Sequence, residues 1–384
     1  MSINTDFKCW MASFNLPMFF MISGFTYDIE KVRSADLKSY TAKLAKRILV
    51  PYLWLQMIGF LFRYMVNIFG KHKEVPVPTY LEGILVGNNN ITNAPSNPLY
   101  SVLMLFLAYI GLWFLIRLTK GNKSAMGVAL LVLVFITVST RKVNLAWHLN
   151  GIPNVMLLIF FGRLLMDCYN MHKEKLLKLP VGAYLSLSLI LILAGYLVNV
   201  RNGRISIHGN FFGGEFYFYL LSAVLSTVGF SLLAMKLPQS KLFEFIGMNT
   251  FFYLGIHKPL LLVMETVFSK YESHWVFLTL GSLAVFFGLA PVVAVVNRCF
   301  PYINGRPIQK STQLIEVCKY LALFATWAVP YLYFNNHFMN GILREKTVLA
   351  VLSAITFLVA MAVFKKLLQK AAPFVFLEVK NEKP

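Results

Sequence analysis

Charged side chains are scarce in this chain of 384 residues. They make up 14% of it, whereas an ordinary soluble domain carries about 25%. Long polar segments are missing too, because the longest stretch between apolar runs covers residues 70–97, which is too short to fold by itself. These two absences exclude a soluble domain.

Cysteine is also rare, and its pattern excludes two kinds of site. The four cysteines are scattered and form no C-x-x-C pair, so the sequence predicts neither a disulfide framework nor a metal site. The cysteines are Cys9, Cys168, Cys299 and Cys318.

The first ten residues lack the basic segment and the small-residue cleavage site of a secretory signal peptide, and we expect no cleavage there.

Apolar runs, by contrast, recur from one end of the chain to the other. Hydrophobic residues make up 58% of the sequence, and many of the runs are long enough to cross a lipid bilayer. The sequence therefore predicts an all-α, polytopic transmembrane helix bundle of about eleven spans. The predicted spans are 10–27, 48–69, 98–118, 125–140, 152–167, 180–200, 215–236, 243–267, 275–299, 314–334 and 347–368.

The formal net charge of +20 resides in the loops between these spans. Alternate loops differ in lysine and arginine content: one set holds 22 and the other holds 10. Positive loops remain in the cytoplasm during membrane insertion, so the basic residues predict topology and not a nucleic-acid partner. The richer set, predicted to be cytoplasmic, is 28–47, 117–124, 168–179, 236–242, 298–313 and the tail after Phe364.

This orientation gives a direct test. We expect reporter fusions at Lys38 and after Lys380 both to report the cytoplasm, because both positions lie in the basic set. Alkaline phosphatase activity and green fluorescence of paired fusions measure it. An external signal at either position would reverse the predicted topology.

The first apolar run, Phe14–Phe25, carries polar and helix-breaking residues that a lipid-facing helix does not need. Pro17 removes one helical hydrogen bond, while Ser23 and Gly24 allow another backbone to come close. We therefore expect this helix to pack inside the bundle. Both a kinked packing helix and a helix lining a site fit these residues.

This segment, FNLPMFFMISGF, resembles the F-H-M-P-L-F-F-F-I-S-G-Y motif of the acyltransferase-3 family. Other segments resemble further family motifs in the same order, so that the likeness covers about residues 14–307. These segments are Arg47–Trp54, Asn97–Tyr100, Phe160–Gly162, His208–Asn210, Ile246–His257 and Asn297–Gly305.

The resemblance implies an integral membrane O-acyltransferase of the cell inner (plasma) membrane. Such an enzyme moves an acyl group, here expected to be acetyl, from acyl-CoA to a hydroxyl of a cell-envelope glycan or lipid-linked precursor. Acetyl-CoA would be a co-substrate, with no bound cofactor. We expect residues 1–310 to form the acyltransferase-like domain and residues 311–384 to add two spans and a basic cytoplasmic tail.

One position departs from the family pattern, since Asn15 stands where the family has histidine. Asparagine can hydrogen-bond a substrate but cannot act as a general base near neutral pH. The family's preceding helix, which carries a Gly-His pair, has no counterpart here, and we expect such a helix to be encoded upstream of Met1. An inactive family member therefore stays open as an alternative.

Ionisable residues inside the predicted spans are few, and such residues often mark a site. His257 is the predicted general base, and Glu265 lies two helical turns further on the same face. A histidine that only bonds a neighbouring helix is the structural alternative. Arg63 and Arg163 complete this set.

Arg47 closes the basic loop at the predicted cytoplasmic mouth. Arginine binds phosphate in bidentate fashion, so Arg47 is assigned to catalysis and to the phosphates of CoA, with Lys46 and Tyr52 beside it. Positive charge that serves only topology and anionic lipid explains the same residues. The residues assigned to the acceptor substrate are Asn15, Asn249, His208 and Asn210.

A polysaccharide-export protein or transporter is the second functional class that the composition allows. Many spans with few buried charges fit a transporter, but its broken helices usually occur at corresponding positions of two halves. We find no such symmetry in the sequence. Transfer of radiolabelled acetyl from acetyl-CoA distinguishes an active enzyme from both alternatives.

Overall fold

A computed structural model describes residues 3–69, 77–88, 94–140, 145–207, 209–267 and 275–306. In this part of the chain all secondary-structure elements are helices, and no strand is present. The α-helices are α1 Ile3–Phe25, α2 Ile29–Ser34, α3 Leu37–Leu44, α4 Val50–Phe69, α5 Val77–Val86, α6 Tyr100–Leu118, α7 Lys123–Ser139, α8 Ile152–Leu177, α9 Val181–Asn202, α10 Phe216–Lys236, α11 Lys241–Met248, α12 Thr250–Val267 and α13 Trp275–Cys299.

Shorter helical turns connect these helices. A π-helix at Ala45–Leu49 precedes α4, and 3₁₀-helices occupy Asn97–Leu99, Ala146–Gly151 and Pro301–Asn304. Eight of the first nine predicted spans each coincide with one helix, the eighth, 243–267, is divided at Asn249 into α11 and α12, and the last two lie outside the described residues. By length and composition, five helical stretches in the described part can cross a membrane, so the predicted count of about eleven is not confirmed. They are Leu37–Arg63, Asn97–Leu118, Ala146–Leu177, Val181–Asn202 and Phe216–Lys236.

The chain divides into two compact units. Unit 1 contains the chain up to Leu44, then Leu81–Ala94 and Tyr100–Glu244. Unit 2 contains Ala45–Tyr80, Pro95–Leu99 and the chain from Phe245 onward. Each unit is therefore assembled from segments that are distant in sequence.

In unit 1, α1 packs on α8, α9 and α10, and serines hold these helices together. The indole Nε1 of Trp10 donates to Ser226 Oγ over 3.1 Å, and the hydroxyls of Ser13 and Ser222 lie 3.1 Å apart. Ser222 also donates to the carbonyl of Gly195 at 2.8 Å. Small polar residues let helices approach closely and form hydrogen bonds within a bundle, and the serines have both effects in this interface.

The contact between α1 and α8 is closer still, because two glycines face each other. A Cβ added at Gly24 would overlap the carbonyl oxygen of Ile159, and one added at Gly162 would overlap that of Met21. Each glycine thus lies against the carbonyl three residues before the other. The expectation that Gly24 admits a second backbone is confirmed.

The loops of unit 1 cluster in the two sets that lysine and arginine content predicted. At one end Arg33 donates to the carbonyl of Lys120 (3.1 Å), and Lys123 pairs with Asp167 at 2.7 Å. Between two loops of the poorer set, Trp147 Nε1 donates to the carbonyl of Leu85 over 2.6 Å. Loops of the basic set therefore contact one another, and loops of the poorer set do likewise.

Candidate functional site

Arg47 lies at the centre of the π-helix that leads into α4 in unit 2, and its side chain is exposed. The proline four residues later, Pro51, has no N–H and cannot donate to the carbonyl of Arg47 as an α-helix requires. The helix widens at this point, a distortion that is frequent at functional sites. The sequence therefore explains why the backbone is irregular at Arg47.

A distant segment packs against this irregular turn. Gly305 adopts a left-handed conformation with φ of +68°, and a Cβ there would lie 2.6 Å from the carbonyl oxygen of Arg47. Only glycine fits both the backbone angle and the space. The 3₁₀-helix Pro301–Asn304 and Gly305 are thus brought to the turn that contains Arg47, which agrees with the prediction that both segments lie on the same side of the membrane.

Next to this contact is a cluster of three asparagines. Asn249, which is 1% exposed, accepts hydrogen bonds through Oδ1 from Nδ2 of Asn297 and of Asn304, each at 2.8 Å. Its own Nδ2 donates to the carbonyl of Phe245 at 2.5 Å. The cluster joins the segment before α12, the end of α13 and the 3₁₀-helix Pro301–Asn304. The predicted substrate contact of Asn249 stays a prediction, while its visible role is to join these three elements.

His257 lies in the second turn of α12 and is half-buried. Its Nδ1 is 2.9 Å from the carbonyl oxygen of Tyr253. A carbonyl can only accept, so Nδ1 carries the proton and, in a neutral ring, Nε2 is the basic nitrogen. The side chain of Glu265 lies outside the described part, so its proposed alignment with His257 stays a prediction.

Helices α4 and α12 pack side by side and place Arg47 and His257 in one unit. The backbone of Gly255 contacts the side chain of Leu55. Leu55 is eight residues after Arg47, and His257 is two residues after Gly255. Arg47 and His257 are therefore separated by roughly 15 Å along the helix axis at 1.5 Å per residue.

A buried polar network fixes the two helices next to each other. Gln56 Nε2 donates to the carbonyl of Ser96, whose N–H donates back to Gln56 Oε1 at 2.9 Å. The Ser96 hydroxyl donates to the carbonyl of Gly255 at 2.6 Å. Sequence analysis did not single out Gln56 and Ser96, because a lone polar residue in an apolar run carries no periodic pattern.

The aromatic residues near Arg47 differ in exposure. Tyr52 is 3% exposed and interacts with the side chain of Gln56. Trp54 packs against Tyr302 with ring centroids 5.5 Å apart. Lys46 is half-buried, so of the three residues assigned to CoA only Arg47 is freely exposed.

The remaining predicted site residues are in unit 1 or outside the described part. Asn15 is exposed on α1, while Phe14 and Pro17 on the same helix are buried. Asn210 is buried, has φ of +48°, and its Oδ1 lacks a partner among the described residues. His208 lies outside the described residues.

Arg163, which was expected to lie inside a span, makes an ion pair and a hydrogen bond that give it a structural role. Its guanidinium pairs with Asp167 at 2.6 Å and donates to the carbonyl of Tyr27 at 3.2 Å. Asp167 is held from the other side by Lys123. Arg163 therefore connects α8 to the end of α1.

Within the described ranges, no three His, Cys, Asp or Glu side chains are placed to hold a metal ion.

Comparison with known families tests the resemblance. Residues 5–296 match a family model described as an acyltransferase domain. The chain belongs to the acyltransferase-3 family. Comparisons with curated proteins and with solved structures find no match. This acyltransferase-3 protein is accordingly a multi-pass membrane acyltransferase, which requires an acyl donor and an acceptor.

The family match includes most of the site described above. Arg47, Asn249 and His257 lie within the matched residues, whereas Asn304 and Gly305 follow them. The acyltransferase-3 domain thus carries both predicted catalytic residues in unit 2. The asparagine cluster extends beyond it through the 3₁₀-helix at Pro301–Asn304.

Proposed function

We propose that this chain is an O-acetyltransferase of the cell inner membrane. It transfers acetyl from acetyl-CoA to a hydroxyl of a cell-envelope glycan or its lipid-linked precursor. Family membership supports acyl transfer, and the basic loops support a donor that approaches from the cytoplasm. The single observation that carries the chemistry is the His257 ring, whose Nδ1–H is used by Tyr253 and whose Nε2 can accept a proton.

The proposed reaction is a direct transfer. His257 Nε2 takes the proton of the acceptor hydroxyl while that oxygen attacks the carbonyl carbon of the thioester. The C–S bond breaks, the electron pair goes to sulfur, and the CoA thiolate that leaves takes the proton from the His257 imidazolium, directly or through water. Arg47 holds the donor phosphates. The acceptor contacts assigned to Asn15, His208, Asn210 and Asn249 stay predictions.

Purified protein in vesicles, given radiolabelled acetyl-CoA and envelope glycan, tests the reaction. We expect label in the glycan as an ester that mild base releases. If the glycan stays unlabelled but crosses the vesicle membrane, the protein is a transporter and this proposal is wrong.

Arg47 gives a residue-level test. Arg47→Ala is expected to raise the KM for acetyl-CoA about tenfold or more, because a hydrogen bond to a charged group contributes about 1.5–3 kcal/mol. Arg47→Lys should restore little, because an ammonium group cannot make the bidentate contact. The exposed Lys175, in another basic loop, provides the control variant Lys175→Ala. Equal KM values for wild type and Arg47→Ala would exclude the phosphate role.

A further inference from the structure

A second arginine, Arg306, lies beside the Arg47 turn in unit 2. Gly305, the residue before it, packs against the Arg47 carbonyl. The Arg306 guanidinium donates through Nη2 to Asn249 Oδ1 at 2.9 Å and to the carbonyl of Met248 at 3.4 Å. The fold therefore places the backbone next to Arg306 against that of Arg47, which is 259 positions earlier in the sequence.

The side-chain partner of Arg306 is neutral. Asn249 Oδ1 accepts three hydrogen bonds, from Asn297, Asn304 and Arg306, which fixes the position of the amide and orients the guanidinium. An amide oxygen leaves the full positive charge of an arginine uncompensated, whereas a carboxylate would neutralise it. The arrangement thus holds a cation in place without cancelling its charge.

No carboxylate compensates either arginine within the described ranges. The ion pairs there are Arg33–Glu30, Lys123–Asp167 and Arg163–Asp167, and all of them belong to unit 1. Beside the arginines, Asn304 is 8% exposed, and its Oδ1 has no partner among the described residues. That oxygen has almost no accessible surface, so it is part of the packed asparagine cluster.

We propose that Arg306 and Arg47 together bind a phosphate group of the acyl-CoA donor, with Asn249 positioning Arg306. The inference rests on the proposed function and adds to it a second phosphate-binding residue. Two guanidinium groups without carboxylate partners match the charge and the acceptor oxygens of a phosphate.

The test compares donors with and without phosphates. With acetyl-CoA, Arg306→Ala is expected to raise KM about tenfold or more and to leave kcat within about twofold. With acetyl-pantetheine, which has no phosphate, the variant and the wild type should have equal KM values. Arg306→Gln, which can still donate to Asn249, should behave like Arg306→Ala. If KM for acetyl-CoA is unchanged, or if the defect is as large with acetyl-pantetheine, Arg306 has no phosphate role.

Arg298→Ala is the matched control, because Arg298 is exposed, lies eight residues earlier and makes no hydrogen bond within the described ranges. It should leave the KM for acetyl-CoA within about twofold. Thermal unfolding of each variant measures structural damage separately. A loss of activity that follows a lowered unfolding temperature, with KM unchanged, would assign Arg306 to structure only.

Two further measurements separate the possible ligands and the two proposals. Vesicles of phosphatidylcholine are compared with vesicles containing phosphatidylglycerol. A defect that appears only with the anionic lipid would assign Arg306 to a lipid headgroup and overturn the inference. Direct binding of CoA to the purified chain is measured as well. Wild type that binds CoA but transfers no acyl group contradicts the proposed function. Arg306→Ala that binds CoA normally contradicts this inference.

Discussion

Replacement of His257 by alanine or glutamine is expected to lower kcat for acetyl transfer by about 10²- to 10⁴-fold, the usual contribution of a positioned general base. The reason is the tautomer: Nδ1 donates to the Tyr253 carbonyl, so Nε2 is the nitrogen that can take the hydroxyl proton. Glutamine retains hydrogen bonding but accepts no proton at neutral pH. The measurement is kcat and the KM for acetyl-CoA, and KM should change little.

The neighbouring residue provides the control for this variant. Lys258 is exposed and adjacent in sequence, so Lys258→Arg, which keeps the positive charge beside the imidazole, should leave kcat within about twofold. The wild-type rate should also fall at acid pH, as the imidazole becomes protonated, and the residual rate of His257→Gln should not follow that curve. Wild-type kcat in His257→Ala would remove His257 from the mechanism.

Substitution of Gly162 by leucine should remove most folded protein from the membrane. A Cβ at this position overlaps the carbonyl of Met21, and α1 and α8 would have to separate along their whole contact. Overpacking of this kind costs roughly 1–3 kcal/mol, and more where the obstacle is backbone. Gly24→Leu should have the same effect, because it meets the carbonyl of Ile159. The measurement is the monodisperse fraction of a fluorescent fusion in size-exclusion chromatography.

Gly182 supplies the control for these variants. It also lies in a helix of unit 1, and an added Cβ there meets nothing within 4 Å. Gly182→Ala should therefore accumulate like the wild type, and its thermal midpoint should stay the same or rise, since alanine favours helix. Normal accumulation of Gly162→Leu would show that the close crossing of α1 and α8 does not exist in the membrane.

Much of the helical architecture could be predicted from the sequence. Bilayer thickness requires apolar runs of about twenty residues, so the runs mark the helices directly. The positions of α9 and α10 followed from this rule, and charge counting grouped the loops that later proved to be in contact within unit 1. The short helices α2, α3 and α5 were not foreseen, because none of them contains an apolar run of membrane-spanning length.

The candidate site was predictable only in part. Arg47 and His257 stood out because a cation beside a motif and an imidazole in a span are rare in an apolar chain. Arg306 did not stand out, because nothing local distinguishes it from other loop arginines. Its partner Asn249 is 57 residues away, and only the fold brings the two together at 2.9 Å.

The sequence by itself thus determined the all-helical, membrane-type architecture and the family, and it supplied the residues proposed for the site. Each of these depends on local composition or on the order of short motifs. The tertiary structure decided which residues meet: Gly24 with α8, Gly305 with the Arg47 carbonyl, and Asn249 with Arg306. The physical reason is that such contacts arise when helices pack. Packing is decided by which small residues admit a neighbouring backbone and which polar groups find partners across long sequence separations.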